Sequence, residues 1–130
     1  MLLVYRAGKL LGNHRIMEKI CLTKGSLNMN KKIKTEAVDH LFEAVLTLKS
    51  PEECYAFFED VCTVNELLSL SQRYEVAKML REKKTYLDIA ERTGASTATI
   101  SRVNRSLNYG NDGYELVFGR MEKKETEQNS

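Results

Sequence analysis

A chain of 130 residues with 42% apolar content can bury one modest core, so a single small domain is expected. The net charge of +2 hides a segregation: residues 1–34 carry eight Lys/Arg against Glu18, residues 35–66 carry eight acids against Lys49, and residues 81–109 turn basic again. No apolar run approaches a membrane span, and three scattered cysteines (Cys21, Cys54, Cys62) with only two histidines exclude a disulfide frame. The expectation is a cytoplasmic protein with no membrane, no metal and no cofactor.

Residues 1–28 show scattered apolar positions and no capped helix. Arg6, Lys9 and Arg15 interrupt any signal-peptide core. Lys24-Gly25-Ser26 can be encoded as AAAGGGAGT, a purine-rich ribosome-binding sequence, with Leu27 and Asn28 as the spacer before Met29. Residues 1–28 therefore read as an upstream extension, the alternative being a disordered basic arm. The domain proper spans 29–124, and 125–130 is a polar tail. Removing residues 1–28 is expected to leave folding unchanged, and mass spectrometry of the native protein to find Met29 or Asn30 at its N-terminus. Native peptides from residues 1–24 would reject this reading.

Thr35 to Leu48 carries Ala37, Val38, Leu41, Phe42, Val45 and Leu46 on one helical stripe, with acids opposite. Ser50-Pro51-Glu52-Glu53 starts a second helix: Ser50 caps, Pro51 suits the first position, and Glu53 reaches back. This helix brings Tyr55, Phe57, Phe58 and Val61. Thr63-Val64-Asn65-Glu66 repeats the pattern and opens a longer helix, with Leu67, Leu70, Tyr74, Ala77 and Leu80 expected to be buried. Thr85 caps a short helix that Gly94 ends, and Ser96 caps the next. After the turn-rich Tyr109–Gly113, a last amphipathic helix is expected from Tyr114 to about Lys124. Six helices and no strand make an all-α fold.

In GASTATISRVNRSL (94–107), Ile100, Val103 and Leu107 share one narrow face. Ala98, Ser101, Arg102 and Arg105 lie roughly opposite. Two short helices meeting at Gly94, over about 85–108, have the helix-turn-helix arrangement. Ala90 is small where the second helix crosses, Gly94 allows the turn, and Ile89, Ala95, Ile100 and Val103 fill the space beneath. Such a second helix enters the major groove N-terminus first. Ser96, Thr97, Ala98, Ser101 and Arg102 then face base edges, with Arg105 further along. Lys84 and the N–H groups near Thr85 are candidate phosphate contacts. The implied partner is double-stranded DNA.

LSLSQR (68–73) and GASTATISRVNRSLN (94–108) resemble the Trp repressor superfamily, and within it the TrpR-like YerC/YecD group. The resemblance covers about Thr35 to Lys124. It implies a six-helix intertwined homodimer with two reading heads, acting as a cytoplasmic DNA-binding transcriptional regulator. Independently, the aromatic second helix offers more apolar surface than so small a chain easily hides, which dimer burial would use. In the Trp repressor, tryptophan binds between core and head. Carried over, the arginines flanking the indole match Arg73 and Arg102, the threonine near the carboxylate matches Thr63, and Thr99 and Ser106 match further pocket positions. The pocket glycine, however, is Val103 here, and two leucines become Asp60 and Cys62. These departures predict a regulator that works without tryptophan, with Arg73 pairing instead with Glu66 or Asp60.

Three other readings are open. The first is a tryptophan- or metabolite-gated aporepressor on the same fold. The second is a small all-helical dimeric enzyme using Arg73, Arg102 and Glu66, although no acid/base pair has recognisable spacing and His40 lies on an acidic outer face. The third is an adaptor that docks partners on the acidic first helices.

Overall fold

The structure is a computed structural model that describes residues 30–130; the proposed upstream extension lies outside the described residues. Six helices follow in order: α1 (Glu36–Val45), α2 (Pro51–Val61), α3 (Val64–Arg81), α4 (Tyr86–Thr93), α5 (Thr97–Tyr109) and α6 (Gly113–Gln128). No strand occurs among the described residues. The first five begin at side-chain caps, four of them at the expected residues and α1 at Thr35. Thr35, Ser50, Thr63, Thr85 and Ser96 each accept a hydrogen bond from the N–H three residues on. Each satisfies a donor that the first helical turn cannot, a contribution of about 1 kcal/mol.

The buried core lies in the second half of the chain. Val76, Ala77, Met79 and Leu80 of α3 pack on Ile89 of α4, Ala95, Ile100 and Val103 of the head, and Phe118 of α6. Val76, Ile89 and Ile100 are wholly buried, and each such side chain contributes about 1.5–3 kcal/mol. Tyr74 and Tyr114 flank Phe118, with ring centroids 5.4 and 6.1 Å away. The Arg81 guanidinium lies 5.4 Å from the Phe118 ring centre and pairs with Glu115 (3.2 Å) and Glu122. Bonding to Arg81 holds the Glu122 carboxyl below its ordinary range. Together these contacts fasten α6 to the end of α3.

The buried face of α3 differs from expectation. Leu67 and Tyr74 are half-buried and Leu70 is 48% exposed, whereas Val76 and Met79 are buried. The buried residues of α3 all fall in its C-terminal half, where it packs on α4, α5 and Phe118 of α6. Neither α1 nor α2 has a fully buried residue in the protomer. Two helix ends also differ. α1 stops at Val45, and the Thr47 hydroxyl bonds back to the Ala44 carbonyl beyond it. α6 runs on to Gln128, past the expected end near Lys124, because the polar segment consists mostly of good helix formers. The Thr126 hydroxyl caps the Glu122 carbonyl there.

Four positions between helices are conformationally demanding. Gly94 ends α4 at φ +68°, with nothing near the place of a Cβ. At Gly110 a Cβ would lie 2.2 Å from the Ser106 carbonyl oxygen, so the chain itself blocks a side chain. Gly94→Ala should lose only the left-handed penalty, roughly 1–2 kcal/mol. Gly110→Ala should lose more, since backbone has to move; thermal unfolding of the two variants compares them directly. The other two are Asp112 at φ +59° and Lys83 at φ +62°. The Lys83 N–H bonds the Leu80 carbonyl, and that of Lys84 bonds the Met79 carbonyl, both at 3.0 Å. This is the helix-ending motif in which glycine is usual.

Candidate nucleic-acid interface

The head is built from α4, a three-residue turn and α5. The left-handed Gly94 reverses the chain, and Ile89, Ala95, Ile100 and Val103 close the space beneath, as the residue sizes predicted. Ala90, the small residue at the crossing, packs half-buried against this cluster. A polar brace supplements the apolar packing. The Thr93 hydroxyl donates to the Ile89 carbonyl (2.6 Å) and accepts from the Ala95 N–H (3.2 Å), while Gln72 Nε2 of α3 donates to the Thr93 carbonyl (3.0 Å). Gln72 and Thr93 thus tie the turn to the core, a role that residue patterning missed. No residue-type signal pointed to it, since the two positions are 21 apart in sequence.

Away from this packing, α5 presents Thr97, Ala98, Ser101, Arg102, Arg105 and Ser106, all exposed, and no acidic residue occurs along it. Lys84 is exposed just before α4. Two of the hydroxyls are engaged locally. Ser96 Oγ accepts from the Thr99 N–H and lies 3.1 Å from Thr99 Oγ1. Thr85 Oγ1 donates to Asp88 Oδ2 at 2.8 Å and accepts from the Asp88 N–H. What Thr85 can offer a phosphate is therefore its backbone N–H. The exposed face combines two guanidinium groups, three hydroxyls without a side-chain bond and a methyl group. Such a face can bond base edges and phosphates.

The family model described as Trp repressor protein matches residues 36–122. The chain belongs to the Trp repressor family. That family is one of DNA-binding regulators and is not enzymatic. The Bacillus subtilis protein YerC is 58% identical over 99 residues, covering 76% of this chain and 95% of YerC. A crystal structure of a TrpR-like protein from Eubacterium eligens is 75% identical with a TM-score of 0.69, covering 71% of this chain and 95% of that one. A candidate Trp repressor from Staphylococcus aureus, also a crystal structure, is 56% identical with the same TM-score, covering 71% and 92%.

Of the five residues that the resemblance assigns to a tryptophan pocket, Thr63, Arg73 and Thr99 bond within their own helices or caps. Thr63 forms a capping box with Glu66: its hydroxyl accepts the Glu66 N–H (3.2 Å), and the Glu66 carboxylate accepts the Thr63 N–H (2.8 Å). The Thr63 backbone and side-chain bonds hold the Glu66 carboxyl below its ordinary range. No ion pair joins Arg73 to Glu66 or to Asp60 among the described residues. Arg73 Nη2 instead donates to Ser69 Oγ at 3.1 Å. Arg73 lines a surface groove with Val61, Cys62, Asn65, Glu66, Ser69 and Leu70, whose wall does not include Thr99, Arg102 or Ser106. Val103, on the α5 flank between Thr99 and Ser106, is 3% exposed and sits in the core.

Proposed function

We propose that two copies of this chain form a cytoplasmic homodimeric transcriptional regulator, a repressor by its resemblance, that reads a near-palindromic DNA site with α5 and does so without tryptophan. One observation carries the DNA reading. A helix held in place by a glycine turn, a packed underside and the Gln72–Thr93 brace exposes only neutral and cationic side chains. Ser101 and Thr97 are assigned to base edges, Arg102 and Arg105 to guanine or phosphate, and Lys84 to phosphate.

The dimer is supported by what one protomer leaves uncovered. Phe42, Leu46, Tyr55, Val61, Val64 and Leu68 are between 50% and 84% exposed along α1, α2 and the start of α3. That is a contiguous stretch of sequence rather than scattered surface positions, and a second copy of the same surface would cover it.

Salt titration of duplex binding tests the DNA reading. Three cations per protomer on phosphates (Lys84, Arg102, Arg105) would give a log–log slope near −5 for a dimer, at about 0.9 per contact. Replacing Ser101 or Thr97 should change sequence preference by about 1–3 kcal/mol where a base contact is lost. Lys84→Ala should weaken all sequences alike. Correctly folded protein that binds no duplex at low salt would end this reading.

A further inference from the structure

We propose that the groove between the end of α3 and the later turns of α5 is a second, sequence-independent clamp on the DNA backbone, with Lys83 as its principal cation. This rests on the DNA reading above. The groove has a volume of about 350 Å³, and Lys83, Lys84, Asn104 and Asn108 supply its polar wall beside Arg81 and Glu115. Its charge balance is favourable to an anion. Arg81 already neutralises Glu115, whereas Lys83 and Lys84 have no acidic partner among the described residues.

Its position follows from helix geometry. Thr97, Ser101, Asn104 and Asn108 fall on one face of α5, so the two amides continue the base-reading face toward the C-terminus. The major groove is about 8.5 Å deep and a helix rises about 1.5 Å per residue, so a helix entering N-terminus first has roughly six residues inside the groove. Asn104 and Asn108 then lie at the rim, where the phosphates are. Asn108 Nδ2 bonds both the Asn104 carbonyl (2.8 Å) and Asn104 Oδ1 (2.9 Å). Bonding to Oδ1 leaves the Asn104 NH₂ as the free end of that side chain, without a partner among the described residues. A free amide donor beside two unpaired ammonium groups suits a phosphate oxygen.

Lys83 supplies an independent sign. It occupies the left-handed position that ends α3, where glycine would fold with less strain. Its conformation fits a residue kept for its charge, since strained positions concentrate where ligands are gripped.

The test uses three proteins: the full chain, Lys83→Gly and Lys83→Arg. Glycine removes the ammonium group while suiting the backbone, so the thermal midpoint should be unchanged or raised. Lys83→Gly should nevertheless bind the selected site and random duplex more weakly by the same factor, with the salt slope reduced by about 1 per protomer. Lys83→Arg should restore the slope. An unchanged slope in Lys83→Gly overturns the clamp and leaves the DNA reading standing, as does equal loss in the glycine and arginine variants. A full chain that binds no duplex overturns both.

Discussion

Phe42→Asp is expected to abolish the dimer, and with it folding at micromolar concentration. Within one protomer Phe42 is 56% exposed on a helix with no buried residue, so aspartate there should be nearly harmless to a monomer. Under the two-fold arrangement proposed here, the same ring would be buried twice, once from each copy. Each loss removes roughly 1.5–3 kcal/mol of ring burial and sets a carboxylate in an apolar environment, a further penalty of several kcal/mol if it stays unpaired. Doubled by symmetry, this is comparable with the whole stability of a typical small domain, about 5–15 kcal/mol. Sedimentation should show the parent protein as a dimer and the variant as a monomer or an unfolded chain. A variant that stays folded, dimeric and tight on DNA would remove α1 from the interface. Tyr55→Asp, on α2 and 67% exposed, separates a failure of one helix from a failure of the whole surface.

The same surface explains which parts of the fold were legible in the sequence. The head could be read residue by residue because its demands are local. A glycine at the left-handed turn, small Ala90 and Ala95, and branched Ile89, Ile100 and Val103 leave few alternatives, and each capping residue announces the helix behind it. α3 was harder to read because its two halves answer to different surroundings. A single stripe fitted through Leu67, Leu70, Tyr74, Ala77 and Leu80 averages a segment that packs on the head with one that does not. Val76 and Met79 fall off that average line and are nonetheless buried. Contacts between residues distant in sequence were not legible at all. The Gln72–Thr93 bond spans 21 positions, and nothing in residue type links its two ends. Arg73 misled for a related reason: opposite charge suggested Glu66, whereas its guanidinium bonds Ser69 one turn back on the same helix.

Tryptophan is expected neither to bind measurably at millimolar concentration nor to change DNA affinity. In the pocket of the family's founding member, glycine stands beside the indole; here Val103 is 3% exposed and packs with Ile89, Ile100 and Val76. An indole beside Val103 would have to displace its isopropyl group or push α5 outward, and overpacking of that kind costs about 1–3 kcal/mol. The other matching groups would also have to be released from bonds they already make: Thr63 from its cap, Arg73 from Ser69, and Thr99 from Ser96. In this reading Val103 does for the head what a bound ring would do, fixing α5 against α3 without a ligand. Val103→Gly should then loosen the head. Removing a buried valine side chain leaves a cavity, and the glycine adds a mid-helix penalty of about 1 kcal/mol. Faster amide exchange across residues 86–107 and weaker DNA binding are the expected results, with the core of α3 less affected. Calorimetry supplies the decisive contrast. Micromolar tryptophan binding to the parent protein that tightens its DNA complex would make this a gated repressor instead. Tryptophan that rescues Val103→Gly alone would show that the valine occupies the ligand's place.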